Sequence, residues 1–176
     1  KLKEARQTQS VSATPQAAST SVTDVQVSGG EAKGEQPQVT FPKPLAVTAT
    51  ERSILEPGDG PKVKRGQRLT VDYLGMNATD GSVFDSSYAR GRRSSFVLTD
   101  SGALIKGLVE GLDGVAVGSR VVIAVPPVDG YGLQGVPASG IGPTDTLVFV
   151  VDVQDAGEVL KRAKGSAVKP KAWLPK

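Results

Sequence analysis

Apolar and polar positions alternate over 68–76, with Leu69, Val71 and Tyr73 on one side and Thr70, Asp72 and Leu74 on the other. A period of two belongs to a β-strand. The run passes Gly75, and after Asp80-Gly81 a second short apolar stretch, 82–86, carries Phe84. Asp-Gly between two such runs predicts a two-residue hairpin turn, because both turn positions favour positive φ. The hairpin brings Tyr73 and Phe84 together and sets the carboxylate of Asp85 beside them, which points to an apolar pocket with one acid at its edge.

The same pattern predicts strands over 45–55, closed by Pro57-Gly58-Asp59-Gly60, and over 95–98, with Phe96 and Leu98 on one face. It predicts two more over Arg120–Val125, with Val121, Ile123 and Val125 inward, and over 146–153, with Leu147, Phe149 and Val151 inward. Pro126-Pro127 stops the first of these, since proline donates nothing to a ladder. One segment changes period. Leu104, Ile105, Leu108 and Leu112 share a helical face, so a helix is expected over 101–112 with Ser101 as its N-cap. Gly107 inside it costs about 1 kcal/mol against alanine, so the helix needs a sheet to lie on. The Gly/Pro-rich stretch 128–145 exceeds the roughly 12–15 residues beyond which a loop is uncommon unless functional. The elements add up to an α+β domain, an antiparallel sheet of five to six strands wrapped around one short helix.

With 176 residues the chain has room for one domain and tails. Residues 1–38 contain no aromatic and read as a flexible lead, with a weak alternation at Val25 and Val27 for an extra edge strand. Residues 39–153 form the domain, and 154–176 a basic linker or tail with a short helix over 157–164. The first residue is Lys, so a natural N-terminus is expected to be missing. No run approaches the ~18 apolar residues of a membrane span. The net charge is 0 over 1–38, −1 over 39–153 and +4 over 154–176. The basic excess therefore sits in the tail and not on the domain, which argues against nucleic acid as a partner.

There is no His and no Cys. That excludes Ser–His–Asp and Cys–His nucleophile chemistry and argues against zinc and thiol redox sites. Any catalysis has to run without an ordinary general base of pKa near 7, a restriction that a conformational isomerisation meets. Of eight aromatics, Tyr73, Phe84, Tyr131 and Phe149 are placed around one pocket. Taken singly, each of Tyr73, Phe84 and Phe149 reads better as ordinary core. Tyr131 does not, because it lies in Gly130-Tyr131-Gly132. Phe96 reads as core, Asp129 as a surface acid, and Arg90-Gly91-Arg92-Arg93 as a solvated loop. Asp85 taken alone reads as a turn residue bonding its own backbone.

Taken together, an ordered set of residues resembles the FKBP-type peptidyl-prolyl cis–trans isomerases. It runs through Gly66-Gln67, Tyr73-x-Gly75, Asp80-Gly81, Phe84-Asp85-Ser86-Ser87, Phe96-x-Leu98, Leu104-Ile105-x-Gly107, Glu110-Gly111, Gly118, Pro127, Tyr131-Gly132, Ile141 and Leu147-Val148-Phe149. The resemblance implies peptidyl-prolyl isomerase activity on proline-containing polypeptides, assistance to protein folding, and no cofactor or metal. It puts Tyr73, Phe84, Asp85, Tyr131 and Phe149 in catalytic positions and Leu104, Ile105, Leu108 and Ile141 in substrate-binding ones. The Ile105 N–H and the Tyr131 hydroxyl are then expected to bond substrate carbonyls. Rapamycin-like macrolides become candidate ligands. Leu108 stands where well-known members carry Trp, Ser94 where they often carry Phe, and Val136 where His is frequent, so the pocket should be wider and less aromatic. The alternatives are a proline-segment binding or chaperone module with weak catalysis, and a spacer domain in a longer surface protein. The flanks Pro37-Gln38-Val39-Thr40-Phe41-Pro42 and Ala172-Trp173-Leu174-Pro175 resemble linkers of exported actinobacterial FKBPs. That likeness points to an extracytoplasmic protein, with Trp173 exposed in a chain cut just before a second domain; separately, a monomer is expected.

Overall fold

The computed structural model describes residues 20–31 and 34–159. Trp173 and the segment 160–164 lie outside them. The main sheet contains β3 (Glu51–Glu56), β4 (Gln67–Asn77), β5 (Val83–Ser86), β6 (Ser94–Val97), β7 (Arg120–Val125) and β8 (Leu147–Glu158), numbered after β1 (Gln26–Ser28) and β2 (Gln38–Thr40). All its pairings are antiparallel, in the order β3-β7-β8-β4-β5. β6 pairs with the first half of β4 and β5 with the second. The short α1 (Ser87–Arg90) joins β5 to β6, and α2 (Lys106–Leu112) lies against β7. The fold is thus the antiparallel sheet with a short helix that the periodicity predicts.

The helix starts later than expected. Ile105 is its N-cap, without a side-chain cap bond, and Ser101 is exposed ahead of it. Gly102 adopts φ 99°, a left-handed conformation that no α-helix continues through. The β4–β5 turn is also wider than two residues. The Asn77 N–H donates to Ser82 O at 2.8 Å, and the Gly81 N–H to Asn77 O at 2.8 Å. Asp80 takes up Ser82 through its backbone N–H and its hydroxyl, while the Asn77 side chain reaches Gly140 O and Asp145. These side-chain bonds hold the wider loop in place. The strand expected over 45–55 is confined to β3. Leu45 and Val47 instead go into a second core, the Leu45 N–H bonding Ala78 O at 2.9 Å.

Two boundaries need correction. Residues 20–38 are not a flexible lead where the structure describes them. A 3₁₀ turn at Val22–Asp24, β1 and β2 form a strap that buries Val22, Val25 and Phe41 with Leu45 and Val47. They cover Leu74, Met76, Val122, Ala124, Val148 and Val150, the apolar back of the sheet. A strand buried on both faces reads as a continuous apolar run, which is what residues 121–125 are. Arg120 pins the strap by donating to Gly29 O and Gly30 O, each at 2.8 Å, while pairing with Asp152 at 2.7 Å. At the other end β8 continues past Val153 to Glu158, because a register shift between Thr70 and Val71 lets it follow β4 to Gln67. Residues 157–158, expected in a helix, are strand.

Candidate functional site

Between α2 and the face of the sheet opposite the strap lies a cavity of about 730 Å³. Each element contributes through the side chains its register turns inward. β4 supplies Tyr73, β8 Phe149, β5 Phe84 and Asp85, and β6 Ser94 and Phe96. Leu104, Ile105 and Leu108 come from the start of α2, and Tyr131 from the long loop. Gly75 makes the aromatic wall possible. It faces Asp85 on one side and Phe149 on the other. A Cβ there would stand 2.9 Å from Phe84 Cζ and 3.1 Å from Phe149 Cε1. Without it the two rings meet edge to face, centroids 5.7 Å apart at 87°, the arrangement aromatic quadrupoles favour. Gly107 and Gly111, four residues apart, do the same for the helix. Cβ atoms on them would come within 2.4 Å of Val125 Cγ1 and 2.7 Å of Ile123 Cδ1. The helix therefore lies close on β7, with Ile105 and Leu108 at the cavity.

The polar groups fall into two sets. Asp85 is fully engaged: the Tyr73 hydroxyl donates to one carboxylate oxygen and Arg90 Nη1 to the other. Arg90 Nη2 donates to Ser94 Oγ at 3.0 Å, and the guanidinium sits 5.7 Å from the Tyr73 ring centre. Ser86 Oγ caps α1 by accepting the Ala89 N–H at 3.1 Å, and Ser87 Oγ accepts the Tyr73 N–H at 2.8 Å, so α1 is fixed to β4. Burial, then the Asp85 bond, pushes the Tyr73 hydroxyl pKa up. The second set has no protein partner among the described residues: the Ile105 backbone N–H and the Tyr131 hydroxyl, both on residues lining the cavity. Burial and then the Asp85 charge raise the Tyr131 pKa, so both groups stay protonated donors at neutral pH. Among the described residues no three His, Cys, Asp or Glu side chains converge on a metal site.

Residues 60–154 match the family described as FKBP-type peptidyl-prolyl cis-trans isomerase. The chain belongs to this family. It is 38% identical to an FK506-binding protein of Streptomyces anulatus over 121 residues, which is 68% of this chain and 95% of that one. It is 36% identical to the FKBP-type isomerase FkpA of Escherichia coli over 146 residues, 81% of this chain but only half of FkpA. The crystal structure of FkpA superposes with a TM-score of 0.57 at 37% identity, covering 63% of this chain and 49% of FkpA. That of AtFKBP13 gives 0.54 at 30% identity, covering 60% and 91%.

In this FKBP domain, eight of the nine expected site residues line one cavity: Tyr73, Phe84, Asp85, Leu104, Ile105, Leu108, Tyr131 and Phe149. Ile141 does not. Its backbone pairs with Val136 in both directions, and its side chain is buried in the core cluster that also holds Phe149. Three further readings change. Phe96 is a cavity wall and not only core; it stands two residues from Ser94 on β6, so the pleat puts both on one side. Arg90 and Arg93 are not merely solvated, since they pair with Asp85 and Asp72. Asp129 is no surface acid: it is 7% exposed and bonded to Thr50 and Lys106. Lys106, Val71 and Val151 also line the cavity and carried no motif that marked them.

Proposed function

We propose that the cavity isomerises X–Pro bonds by holding the proline ring against Phe84, Phe149 and Leu108 while its amide twists. The barrier of roughly 18–20 kcal/mol is loss of amide resonance. The twisted amide is less polar than the planar one, so an apolar wall costs it less hydration. The observation that carries the proposal is the pair of unpartnered donors, Ile105 N–H and Tyr131 O–H, at an edge-to-face aromatic wall. They restrict the chain on both sides of the rotating bond, which is catalysis by orientation. Asp85, with both oxygens engaged, orients Tyr73 and Arg90 and adds negative potential; it is not a general base. No proton moves and no covalent bond forms. Cis–trans exchange NMR on X–Pro peptides with varied preceding residues tests the assignment: exchange above the uncatalysed rate supports it, and background rates across the panel refute it.

The physiological substrates follow as unfolded proline-containing chains in an extracytoplasmic compartment, a location supported by the likeness of the flanks to exported relatives and tested by cell fractionation. Macrolides with a pipecolyl ring are ligands of the same cavity. One relative is named for binding FK506. Leu108 gives such a ring less flat contact than an indole, so Leu108→Trp is expected to tighten binding in calorimetry; unchanged or weaker binding removes Leu108 from under the ring.

A further inference from the structure

The two donors assigned to substrate come from separate pieces of chain, and their spacing has to be fixed by something. Ile105 ends the loop into α2, and Tyr131 sits on the loop after β7. Among the described residues a single side chain forms a polar link between these pieces. Asp129, two residues before Tyr131, takes Lys106 Nζ at 3.2 Å on one oxygen, and Lys106 follows Ile105 directly. Its other oxygen accepts the Thr50 hydroxyl at 2.8 Å, tying both pieces to the residue before β3. The next residues of that strand complete the hold: Arg52 Nη1 donates to Gly111 O at 3.0 Å and to Asp113 O at 2.7 Å, at the far end of α2.

We infer that Asp129 is a positioning residue, which sets the distance between the Ile105 N–H and the Tyr131 hydroxyl by bridging Lys106 and Thr50. It touches no substrate. The inference rests on the assignment of those two donors to substrate carbonyls. Asp129 is 7% exposed, and a carboxylate that buried is retained at little cost only when its oxygens are satisfied. Burial pushes its pKa up, but the bonds from Thr50 and Lys106 outweigh that and hold it below the usual carboxylate range, so the bridge is charged at neutral pH. Lys106 is also 3.6 Å from Glu110, one turn along α2. Its second carboxylate keeps the ammonium near the helix whether or not Asp129 is present, so the bridge governs the loop more than the helix.

A misplacement of about 1 Å in positioning groups costs up to about a hundredfold in rate. Asp129→Asn is therefore expected to lower kcat/KM for an X–Pro peptide about tenfold, mostly in kcat, because the twisted amide needs both donors at once. Thr50→Val perturbs the bridge from the side remote from the cavity and is expected to lower kcat/KM in the same way but less. Lys106→Gln removes the other arm. The three variants, and the double variant of Lys106→Gln with Asp129→Asn, are assayed with the wild-type chain, and the folded fraction of each is measured at the assay temperature. Non-additivity supports the inference: the double variant is no slower than the worse single one, and both Thr50→Val and Asp129→Asn are slower than their folded fractions explain. Fully additive losses mean that Lys106 acts on substrate by itself and overturn it. So do losses that follow the unfolded fraction, or unchanged rates in folded variants. An inactive wild-type chain would instead refute the parent assignment.

Discussion

Gly107→Ala separates packing from helix propensity, because the two predict opposite signs. By propensity alone, alanine stabilises a helix interior by about 1 kcal/mol over glycine, an upper bound for Gly107, the second residue of α2. In this fold the added Cβ meets Val125 Cγ1 at 2.4 Å, Cγ2 at 2.6 Å and Cβ at 3.0 Å. Val125 is fully buried on β7, so it has nowhere to retreat. Overpacking of a tight core costs about 1–3 kcal/mol, and contacts this short belong at the upper end. About 3 kcal/mol less about 1 kcal/mol leaves a net destabilisation of about 2 kcal/mol. With a urea m-value of about 2 kcal/mol/M, the midpoint falls by about 1 M. Pairing the substitution with Val125→Ala should recover part of the loss attributable to the clash, beyond what the single variants predict by addition. If Gly107→Ala is neutral or stabilising, the seating of α2 on β7 is wrong, and with it the position of Ile105.

Tyr131→Phe removes one donor and keeps the ring, a loss of about 0.5–1.5 kcal/mol, so kcat/KM on an X–Pro peptide is expected to fall roughly two- to tenfold with stability unchanged. Deleting the chain through residue 41 strips Val22, Val25 and Phe41 from the back of the sheet. At about 1.5–3 kcal/mol for each buried side chain, this approaches the whole stability of a small domain, and circular dichroism should show an unfolded or molten product; a native spectrum and melt would mean the strap is dispensable. Asp145 accepts from Thr79, the Gly142 N–H and Asn77, and these bonds hold its carboxyl below its ordinary value of 3.8. Its contribution is present above that value and is lost as pH falls through it towards the lower folded one. Asp145→Asn should therefore destabilise at neutral pH, with the gap to wild type closing below about pH 4 in denaturation curves; a constant gap would refute the depressed pKa.

The site is more legible in the sequence than the boundaries of the fold. Tyr73, Phe84 and Phe149 stand on strands with clear alternation, and the pleat alone brings them to one face. Tyr131 is marked by its glycines. The strap is legible only as the weak alternation at Val25 and Val27; the inward set Val121, Ile123 and Val125 does not call for it, although Val122, Ala124, Val148 and Val150 are as apolar. A sheet apolar on both faces requires a second cover, and short segments such as Val22–Asp24 become ordered only when they find that surface. Asp129 reads as a surface acid for a related reason. Its partners, Thr50 and Lys106, are remote in sequence, and nothing local distinguishes a bridging carboxylate from an exposed one. Ile141 is placed at the cavity by the resemblance alone; in the structure it bridges to Val136 and is buried, and no feature of the local sequence separates a buried isoleucine from a lining one. Ser101 failed as a cap because Gly102 adopts a left-handed conformation, a backbone fact that side-chain periodicity does not report.

The most direct test of the central claim is two-dimensional exchange NMR on an X–Pro peptide with the protein at catalytic concentration, followed by mapping of the protein's amide shifts as the peptide is added. The account predicts cis–trans exchange peaks that the peptide alone does not show, and the largest shifts at Ile105 and around Gly130-Tyr131. Exchange that leaves those amides untouched, or shifts there without any exchange, would contradict it.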